Sequence, residues 1–179
     1  DLTEEVIRDG WLSTGDIGAF DENNYLRIVD RKKEILVMSN GKNIAPQPIE
    51  NALKKSKYIG MAMVVGDGRN YLTALLVPNR DPLLRYARKK GLNAKDFSEL
   101  LNDERIRALF REEIDRNSAQ FARFEKIKNF ALLAGEFSQE RNELTPTLKF
   151  KRGNIIQAYA DSIEQMYRES ATFRIARTE

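Results

Sequence analysis

The sequence predicts an α+β fold in which a small mixed β-sheet is flanked by helices and preceded by a β-hairpin. Three observations support this class. Short apolar runs alternate with longer stretches whose apolar residues recur at helical spacing. Glycine, proline and asparagine separate these runs where turns are expected. The 179 residues, 41% of them hydrophobic, are enough for one core but too few for a large multidomain enzyme.

The first half of the chain supplies most of the predicted strands. Residues Asp21–Asn24 have the composition of a tight turn between two apolar runs and predict a hairpin. Pro46 and Pro48 precede an amphipathic stretch and favour the start of a helix. In chain order we expect a helix over 3–8, a hairpin over 19–29, a strand over 35–38, a helix over 49–55 and strands over 61–65 and 71–77.

The second half is mainly helical. Asp81 is expected to cap a helix that starts at Pro82 and stops at Gly91. Apolar residues between Ile106 and Phe121 recur near helical spacing. The remaining elements are a strand over 127–133, a basic loop over 144–152, a helix with Ile156, Tyr159, Ile163 and Tyr167 on its apolar face, and a weakly periodic end over 170–179.

Two residue types are missing from the sequence, and this excludes several kinds of chemistry. Without cysteine there is no disulfide, no thiolate nucleophile and no cysteine-based zinc or iron–sulfur site. Without histidine there is no Ser-His or Cys-His catalysis, and the commonest metal ligand is absent. A catalytic group from this chain must therefore be lysine, arginine, a carboxylate, tyrosine or the backbone.

The charge distribution argues against nucleic-acid binding. The sequence has 30 basic and 27 acidic residues. Basic and acidic side chains alternate along the chain, for example over 111–116, as on a solvated helix surface. No run approaches the roughly 20 apolar residues that cross a bilayer. Nothing resembles a signal peptide, and the start at Asp1 suggests a piece of a longer protein. We expect a cytoplasmic location, with peripheral membrane contact left open.

Four polar loops could carry chemistry. In Ser13–Asp16, a carboxylate after a tight turn could accept hydrogen bonds from the two hydroxyls of a ribose. The cations of Asp30–Glu34 could hold a phosphate or a ribose. The glycine of Ser39–Asn43 would let a ligand approach the backbone, and a lysine in Thr145–Arg152 could stabilise developing negative charge. Taken singly, an ordinary turn or solvated connector explains each loop at least as well, and it is the better explanation for Ser13–Asp16 and Ser39–Asn43.

Together, the order and spacing of these loops resemble the adenylate-forming superfamily. The runs that carry the resemblance are Gly-Trp-Leu-Ser-Thr-Gly-Asp-Ile-Gly, Asp-Arg-Lys-Lys-Glu, Asn-Gly-Lys-Asn-Ile-Ala-Pro-Gln-Pro-Ile-Glu and Thr-x-x-x-Lys-x-x-Arg. Within the superfamily, the chain is similar to the C-terminal domain of long-chain fatty-acid–CoA ligases, which are AMP-forming acyl-CoA synthetases. The resemblance implies that residues 1–30 end a larger, adenylate-binding N-terminal domain and include the hinge. Residues 31–179 would be a mobile lid with a helical insertion at 81–125.

The resemblance also implies an activity. In this family a carboxylate attacks ATP to give an acyl-adenylate and pyrophosphate, and the thiol of CoA then takes the acyl group and releases AMP. Between the two steps the small domain swings on its hinge. The expected ligands are a fatty acid, CoA and ATP, with Mg held mainly by the N-terminal domain, which is the expected partner. The isolated fragment is expected to be inactive.

Most of the site residues implied by the resemblance precede residue 45. Asp16 matches the aspartate that binds the ribose, and Arg31 matches an arginine that also contacts it. Asp30 matches the hinge, and Lys33 is a supporting cation. The loop expected to line the pantetheine tunnel during thioester formation consists of Ser39, Asn40, Gly41 and Lys42.

The late basic loop matches the catalytic loop of adenylation. Lys149 corresponds to the lysine whose ammonium would lie between the substrate carboxylate and the α-phosphate. Arg152 fits the basic position three residues later and is expected to hold the loop. The broad family has glycine before its lysine, where this chain has Leu148, so Lys151 is an alternative. Lys149 is preferred because Thr145, Lys149 and Arg152 then keep the family's spacing.

Two other functions stay open at this point. The same domain could serve a ligase that loads the phosphopantetheine of a carrier protein, because CoA and the carrier present the same arm. A non-catalytic basic module that contacts RNA belongs to a different class, and the scattered charge argues against it.

Overall fold

The computed structural model describes residues 7–8, 10–31 and 34–175 of the chain. Its strands are β1 (Ile7–Arg8), β2 (Trp11–Leu12), β3 (Asp16–Phe20), β4 (Leu26–Arg31), β5 (Leu36–Val37), β6 (Asn43–Ile44), β7 (Ile59–Val65), β8 (Leu72–Pro78) and β9 (Ile127–Leu132). Its helices are α1 (Pro46–Leu53), α2 (Arg80–Lys89), α3 (Phe97–Leu101), α4 (Glu104–Asn117), α5 (Arg152–Ala158) and α6 (Ala160–Ile175), with a 3₁₀ turn at Arg123–Glu125.

A mixed three-stranded sheet forms the centre of the fold. β8 is the middle strand, with β7 antiparallel on one side and β9 parallel on the other. Leu75 therefore pairs with Met63 of β7 and with Ala131 of β9. A parallel pair needs a long connection, and α2 to α4 lie in the one between β8 and β9. The predicted class, α+β with a small mixed sheet and flanking helices, is confirmed.

Two hydrophobic cores flank this sheet. Successive side chains of a strand point to opposite faces. Leu72 and Leu76 of β8 therefore join the first core, with residues of α1 to α4, whereas Leu75 and Val77 join the second, with residues of α5 and α6. All seven residues of β8 are buried. Burial on both faces explains why this strand reads as a nearly continuous apolar run rather than an alternating one.

The helices of the predicted insertion are part of the first core. Leu83 of α2, Phe97 of α3 and Phe110 of α4 are all buried in it. They cover the same core as Leu53 of α1, so this region packs as an integral layer of the domain. The domain limits expected at 30/31 and at 81–125 stay predictions.

Two hairpins precede the sheet. β1 pairs with β2, and β3 pairs with β4, both antiparallel. The second pair confirms the hairpin predicted over 19–29. The carboxylate of Asp21 closes its turn by accepting the N–H groups of Asn23 at 2.9 Å and Tyr25 at 3.0 Å. These hairpins expose large apolar side chains, and Trp11 is 81% exposed.

Two predicted helix boundaries are wrong. Ile7–Arg8 form a strand rather than the end of a helix, and the rest of the stretch predicted over 3–8 lies outside the described residues. Asn79, rather than Asp81, is the N-cap residue of α2. Asp81 lies in the first turn of that helix, where its charge complements the helix dipole. Gly91 follows α2 with φ +64°, as predicted for a stop.

The single helix predicted near the C-terminus is two helices. Tyr159, with φ −112° and ψ 23°, separates α5 from α6. Ile155 is fully buried, while Ile156, predicted on the apolar face, is 38% exposed. Helix α6 runs to Ile175, and 176–179 lie outside the described residues. Within the described ranges, each helix is too short or too polar to cross a membrane.

The two-core arrangement can be tested at β8. Leu75→Ala is expected to lower the free energy of unfolding of the 179-residue chain by about 2–5 kcal/mol, because Leu75 is fully buried. Leu12→Ala removes the same atoms from a side chain that is 61% exposed and should cost less than about 1 kcal/mol. Urea unfolding followed by far-UV circular dichroism measures both. Equal losses would contradict the described burial.

Candidate active site

The candidate site is a cleft of about 530 Å³ between the β3–β4 hairpin, helix α1 and the loop that precedes α5. This volume is within the range of small-molecule sites. Charged side chains from all three parts converge on it, and they include Asp16, Glu34, Glu50, Lys149 and Arg152. The fold thus brings Asp16, one of the two predicted ribose-binding residues, and Lys149, the predicted catalytic residue, to one cleft.

Lys149 is presented by a tight hairpin. Leu144 and Phe150 pair across this hairpin as an antiparallel bridge. The Thr145 N–H donates to the Lys149 carbonyl at 2.8 Å, and the Leu148 N–H donates to the Thr145 carbonyl at 2.9 Å. The Lys149 N–H donates to Thr145 Oγ1 at 3.0 Å. The backbone of Lys149 is therefore held on both sides, while its side chain is exposed and lines the cleft.

Leu148 has a backbone conformation that usually selects glycine. Its φ is +59°, in the left-handed region, which costs a residue with a side chain roughly 1–2 kcal/mol. Pro146 and Thr147 form the turn before it, so Leu148 takes the third position of a three-residue hairpin loop, where glycine is favoured. This conformation gives a physical reason for the glycine that the resemblance leads us to expect before Lys149.

The alternative catalytic residue, Lys151, has different surroundings. Its ammonium donates to the side-chain carbonyl of Asn142. Its N–H donates to the Glu143 carbonyl at 2.8 Å, which fixes the base of the hairpin. Lys149 lines the described cleft and Lys151 does not. This placement favours Lys149, and the catalytic assignment stays a prediction.

Arg152 forms a buried ion pair with Glu50 of α1. Its Nη2 donates to both carboxylate oxygens of Glu50, at 2.8 and 2.9 Å, and its Nη1 donates to the Val64 carbonyl at 3.3 Å. Glu50 also accepts the Val64 N–H at 2.8 Å. The side chains of Arg152 and Glu50 are only 14% and 5% exposed. The expected anchoring role of Arg152 thus has definite contacts, to α1 and to β7.

A second carboxylate faces the same arginine. Glu34 Oε2 lies 3.6 Å from Arg152 Nε, which is buried and has no hydrogen-bond partner among the described groups. Burial raises the pKa of the Glu50 carboxyl, although Arg152 and the Val64 N–H act in the opposite direction. Arg152 therefore lies between one firmly bonded carboxylate and one that is close but not hydrogen-bonded.

Asp16 lines the cleft from the β3–β4 hairpin, at the start of β3. Its side chain is half-buried, and its N–H donates to Thr14 Oγ1 at 3.2 Å. Asp16 pairs with Arg31 in the register of the hairpin, so the backbones of the two residues predicted to contact the ribose lie opposite each other on neighbouring strands. The backbone of Asp30 also belongs to β4, and Lys33 lies outside the described residues. The roles of these four residues stay predictions.

The loop expected to contact CoA lies apart from the cleft. Residues 39–42 are absent from its described lining. The Ser39 N–H donates to the Arg69 carbonyl at 3.0 Å, and its hydroxyl donates to Asn70 Oδ1 at 2.5 Å. Gly41 has φ +78°, and no atom lies within 4 Å of the position that a Cβ would take. The tip of the loop therefore faces open space, where a ligand could pass close to the backbone.

The other side of this loop contacts the end of the predicted insertion. The Lys42 N–H donates to Asn40 Oδ1 at 3.1 Å, which shapes the loop. The Lys42 ammonium lies 4.0 Å from the ring centroid of Phe124, in the 3₁₀ turn. A cation–π contact of this kind contributes about 0.5–1 kcal/mol at an exposed site. The loop is thus supported by the β7–β8 turn and by Phe124.

Sequence reasoning assigned no role to Glu50, Glu34 or Phe124, although Glu34 and Glu50 end two of the runs that carry the resemblance. A signal was available for Glu50. It lies three positions before the apolar Leu53, on the buried face of the amphipathic helix, where a charge needs a partner. Glu34 and Phe124 carry no comparable local signal. In the described part of the chain, no group of three or more carboxylates could hold a metal ion.

The chain belongs to the family of AMP-binding enzyme C-terminal domains, which it matches over residues 33–171. It is 39% identical over 171 residues to peroxisomal long chain acyl-CoA synthetase 6 of Arabidopsis thaliana, covering 93% of this chain and 24% of that protein. It is 34% identical over 166 residues to long-chain-fatty-acid–CoA ligase FadD15 of Mycobacterium tuberculosis, covering 92% of this chain and 28% of that protein. The chain thus spans about a quarter of the length of these curated relatives.

Solved structures share the fold at lower sequence identity. The adenylation domain of a carboxylate reductase from Mycobacterium chelonae superimposes with a TM-score of 0.75 at 24% identity, over 93% of this chain and 25% of that one. The A-PCP didomain of a carboxylic acid reductase from Segniliparus rugosus, solved with AMP, superimposes with a TM-score of 0.77 at 23% identity. This match covers 98% of this chain and 23% of that one. The predicted family is confirmed by the sequence match, and these structures support the fold.

The strain at Leu148 gives a stability prediction. Leu148→Gly should raise the free energy of unfolding by up to about 1 kcal/mol, because glycine adopts positive φ without a steric cost. Leu148→Ala keeps the strain and removes a side chain that is 66% exposed, so its effect should be within about 0.5 kcal/mol of zero. Urea unfolding separates the two. A glycine variant less stable than the alanine variant would argue against the left-handed conformation.

Proposed function

We propose that this chain is the C-terminal domain of an ATP-dependent, AMP-forming fatty-acid–CoA ligase and acts as a mobile lid over an active site shared with the N-terminal domain. The observation that carries the proposal is the shared cleft of Asp16 and Lys149. A carboxylate that could bind the ribose and an exposed ammonium in one cleft are what a site for a nucleotide and a carboxylate requires. The ligase names of the curated relatives support the substrate class.

In the first step, the oxygen of a fatty-acid carboxylate attacks the α-phosphorus of ATP. A bond forms between this carboxylate oxygen and the α-phosphorus. The bond between the α-phosphorus and the oxygen that bridges it to the β-phosphorus breaks, and pyrophosphate leaves. Both reactants are anions, so the Lys149 ammonium would lower their repulsion and stabilise the charge that develops on the phosphoryl oxygens. Asp16 accepts hydrogen bonds from the ribose hydroxyls, with Arg31 beside it, and so orients the nucleotide.

In the second step, the CoA sulfur attacks the acyl carbonyl of the adenylate, the thiol proton is released, and AMP leaves. The loop formed by Ser39, Asn40, Gly41 and Lys42 would guide the pantetheine arm. Because this loop and Lys149 lie in different places on one domain, the domain has to turn between the steps. We assign that rotation to the segment at Asp30, with Lys33 and Arg152 in supporting roles.

The remaining components are assigned to the whole ligase. Mg accompanies ATP and is placed with the N-terminal domain, which also holds the acyl pocket. The isolated chain would therefore be inactive. A cytoplasmic location and a peripheral membrane contact stay predictions. A carrier protein is the alternative acyl acceptor, since one solved neighbour is named for an attached PCP domain. The curated relatives, at higher identity, are named CoA ligases and favour CoA.

The role of Lys149 is tested in the full-length ligase that contains this chain. Lys149→Ala should slow acyl-adenylate formation about 100- to 1000-fold, because it removes a preorganised charge at the reacting phosphate. Thioester formation from supplied acyl-adenylate should stay near the wild-type rate. Lys151→Ala is the matched control and should leave both half-reactions intact. If Lys151→Ala abolishes adenylation instead, the catalytic assignment moves to Lys151.

The role of the glycine loop is tested on the other half-reaction. Gly41→Leu should lower the rate of thioester formation at least about tenfold, because a side chain would project into the open space beside the backbone. Adenylation, measured as pyrophosphate release, should change little. Gly91→Leu is the control, since Gly91 also has positive φ, +64°, with no atom within 4 Å. It imposes similar backbone strain. If both variants lose thioester formation but keep adenylation, the effect is due to backbone strain and not to the position of Gly41 in its loop.

A further inference from the structure

Glu50 is a buried charge that stability alone does not explain. Two other buried carboxylates, Glu113 and Glu143, pair with arginines that are 69% and 51% exposed. Arg152, the partner of Glu50, is only 14% exposed, so this pair has lost more of its water than the others. Apolar residues of similar volume are often at least as stable as a buried ion pair. The burial of these two charges therefore calls for an explanation other than stability.

The contacts of the pair suggest that reason. Arg152 is the first residue of α5 and directly follows the hairpin that presents Lys149. Through Glu50 and the Val64 carbonyl, its guanidinium bonds to α1 and β7, which belong to the body of the domain. Glu50 is itself fixed by the Val64 N–H at 2.8 Å. One end of the hairpin is thus fixed three residues from Lys149, and both members of the pair line the same cleft as Lys149.

We propose that Glu50 is a positioning residue for adenylation, which acts through Arg152 on the hairpin that carries Lys149. This inference rests on the proposed function. The charge of Glu50 holds the guanidinium away from Glu34, whose carboxylate lies 3.6 Å from Arg152 Nε. Without the Glu50 charge, Arg152 is attracted toward Glu34 or toward a phosphate in the cleft. Either movement displaces the end of the hairpin and misplaces the Lys149 ammonium relative to the phosphorus.

The test uses two variants of the full-length ligase. Glu50→Gln keeps the shape of the side chain and removes its charge. The double variant Glu50→Met with Arg152→Met replaces both charges by apolar side chains of similar length, which keeps the domain folded if the single variant is unstable. In both, the rate constant for adenylation at saturating ATP and fatty acid should fall at least about tenfold, while thioester formation from supplied acyl-adenylate stays within about twofold of wild type.

Two controls make the outcome decisive. Glu113→Gln changes another buried, arginine-paired carboxylate, on α4 and outside the cleft lining, and should leave both half-reactions unchanged. A merely structural role for Glu50 would lower both half-reactions together, or leave both intact in the folded double variant, and either result overturns the proposal. Lys149→Ala is measured in parallel. If it abolishes adenylation while the Glu50 variants do not, only the Glu50 inference fails. If Lys149→Ala leaves adenylation intact, the catalytic role proposed for Lys149 fails, and the Glu50 inference, which acts on the Lys149 hairpin, fails with it.

Discussion

The buried ion pair between Glu50 and Arg152 is the interaction on which the arrangement of the candidate site depends. It joins residues that are far apart in the chain and connects helix α1, strand β7 and the start of α5 at one point. Such a pair has high geometric demands, because each charge tolerates burial only while its partner and its hydrogen bonds stay in place. The hairpin beside it therefore has one favoured position against the domain, although its tip is exposed.

The two loops that carry the candidate residues differ in how they are built. The Lys149 hairpin is held by its own turn, by Thr145 and by a charge contact at its base. The Gly41 loop is held from outside, by the β7–β8 turn at Ser39 and by the ring of Phe124 under Lys42. Both are joined by these contacts to the same domain. A domain built in this way can exchange one loop for the other at a shared site by turning as a body, without refolding either loop.

Much of the fold was predictable, because local patterns determine it. The apolar runs of β7, β8 and β9 and the glycine after α2 are strong signals on their own. The helix and strand boundaries that were predicted wrongly depend on tertiary contacts. Ile7–Arg8 become a strand by pairing with Trp11–Leu12, and the break at Tyr159 shifts the buried face to Ile155. The candidate residues came from motif spacing, which assigns roles to Asp16 and Lys149. It assigns none to Glu34, the last residue of one quoted run, or to Phe124. Those two residues matter through contacts across the fold, which spacing along the chain does not encode.

The exposed indole of Trp11 has a practical consequence. It is the only tryptophan of the sequence and lies on a front hairpin, outside both cores. Its emission therefore reports the hydration of that surface and responds weakly when the sheet and helices melt. The same property makes it a built-in optical sensor: any neighbour that covers the hairpins would shift its spectrum to shorter wavelength without an attached dye.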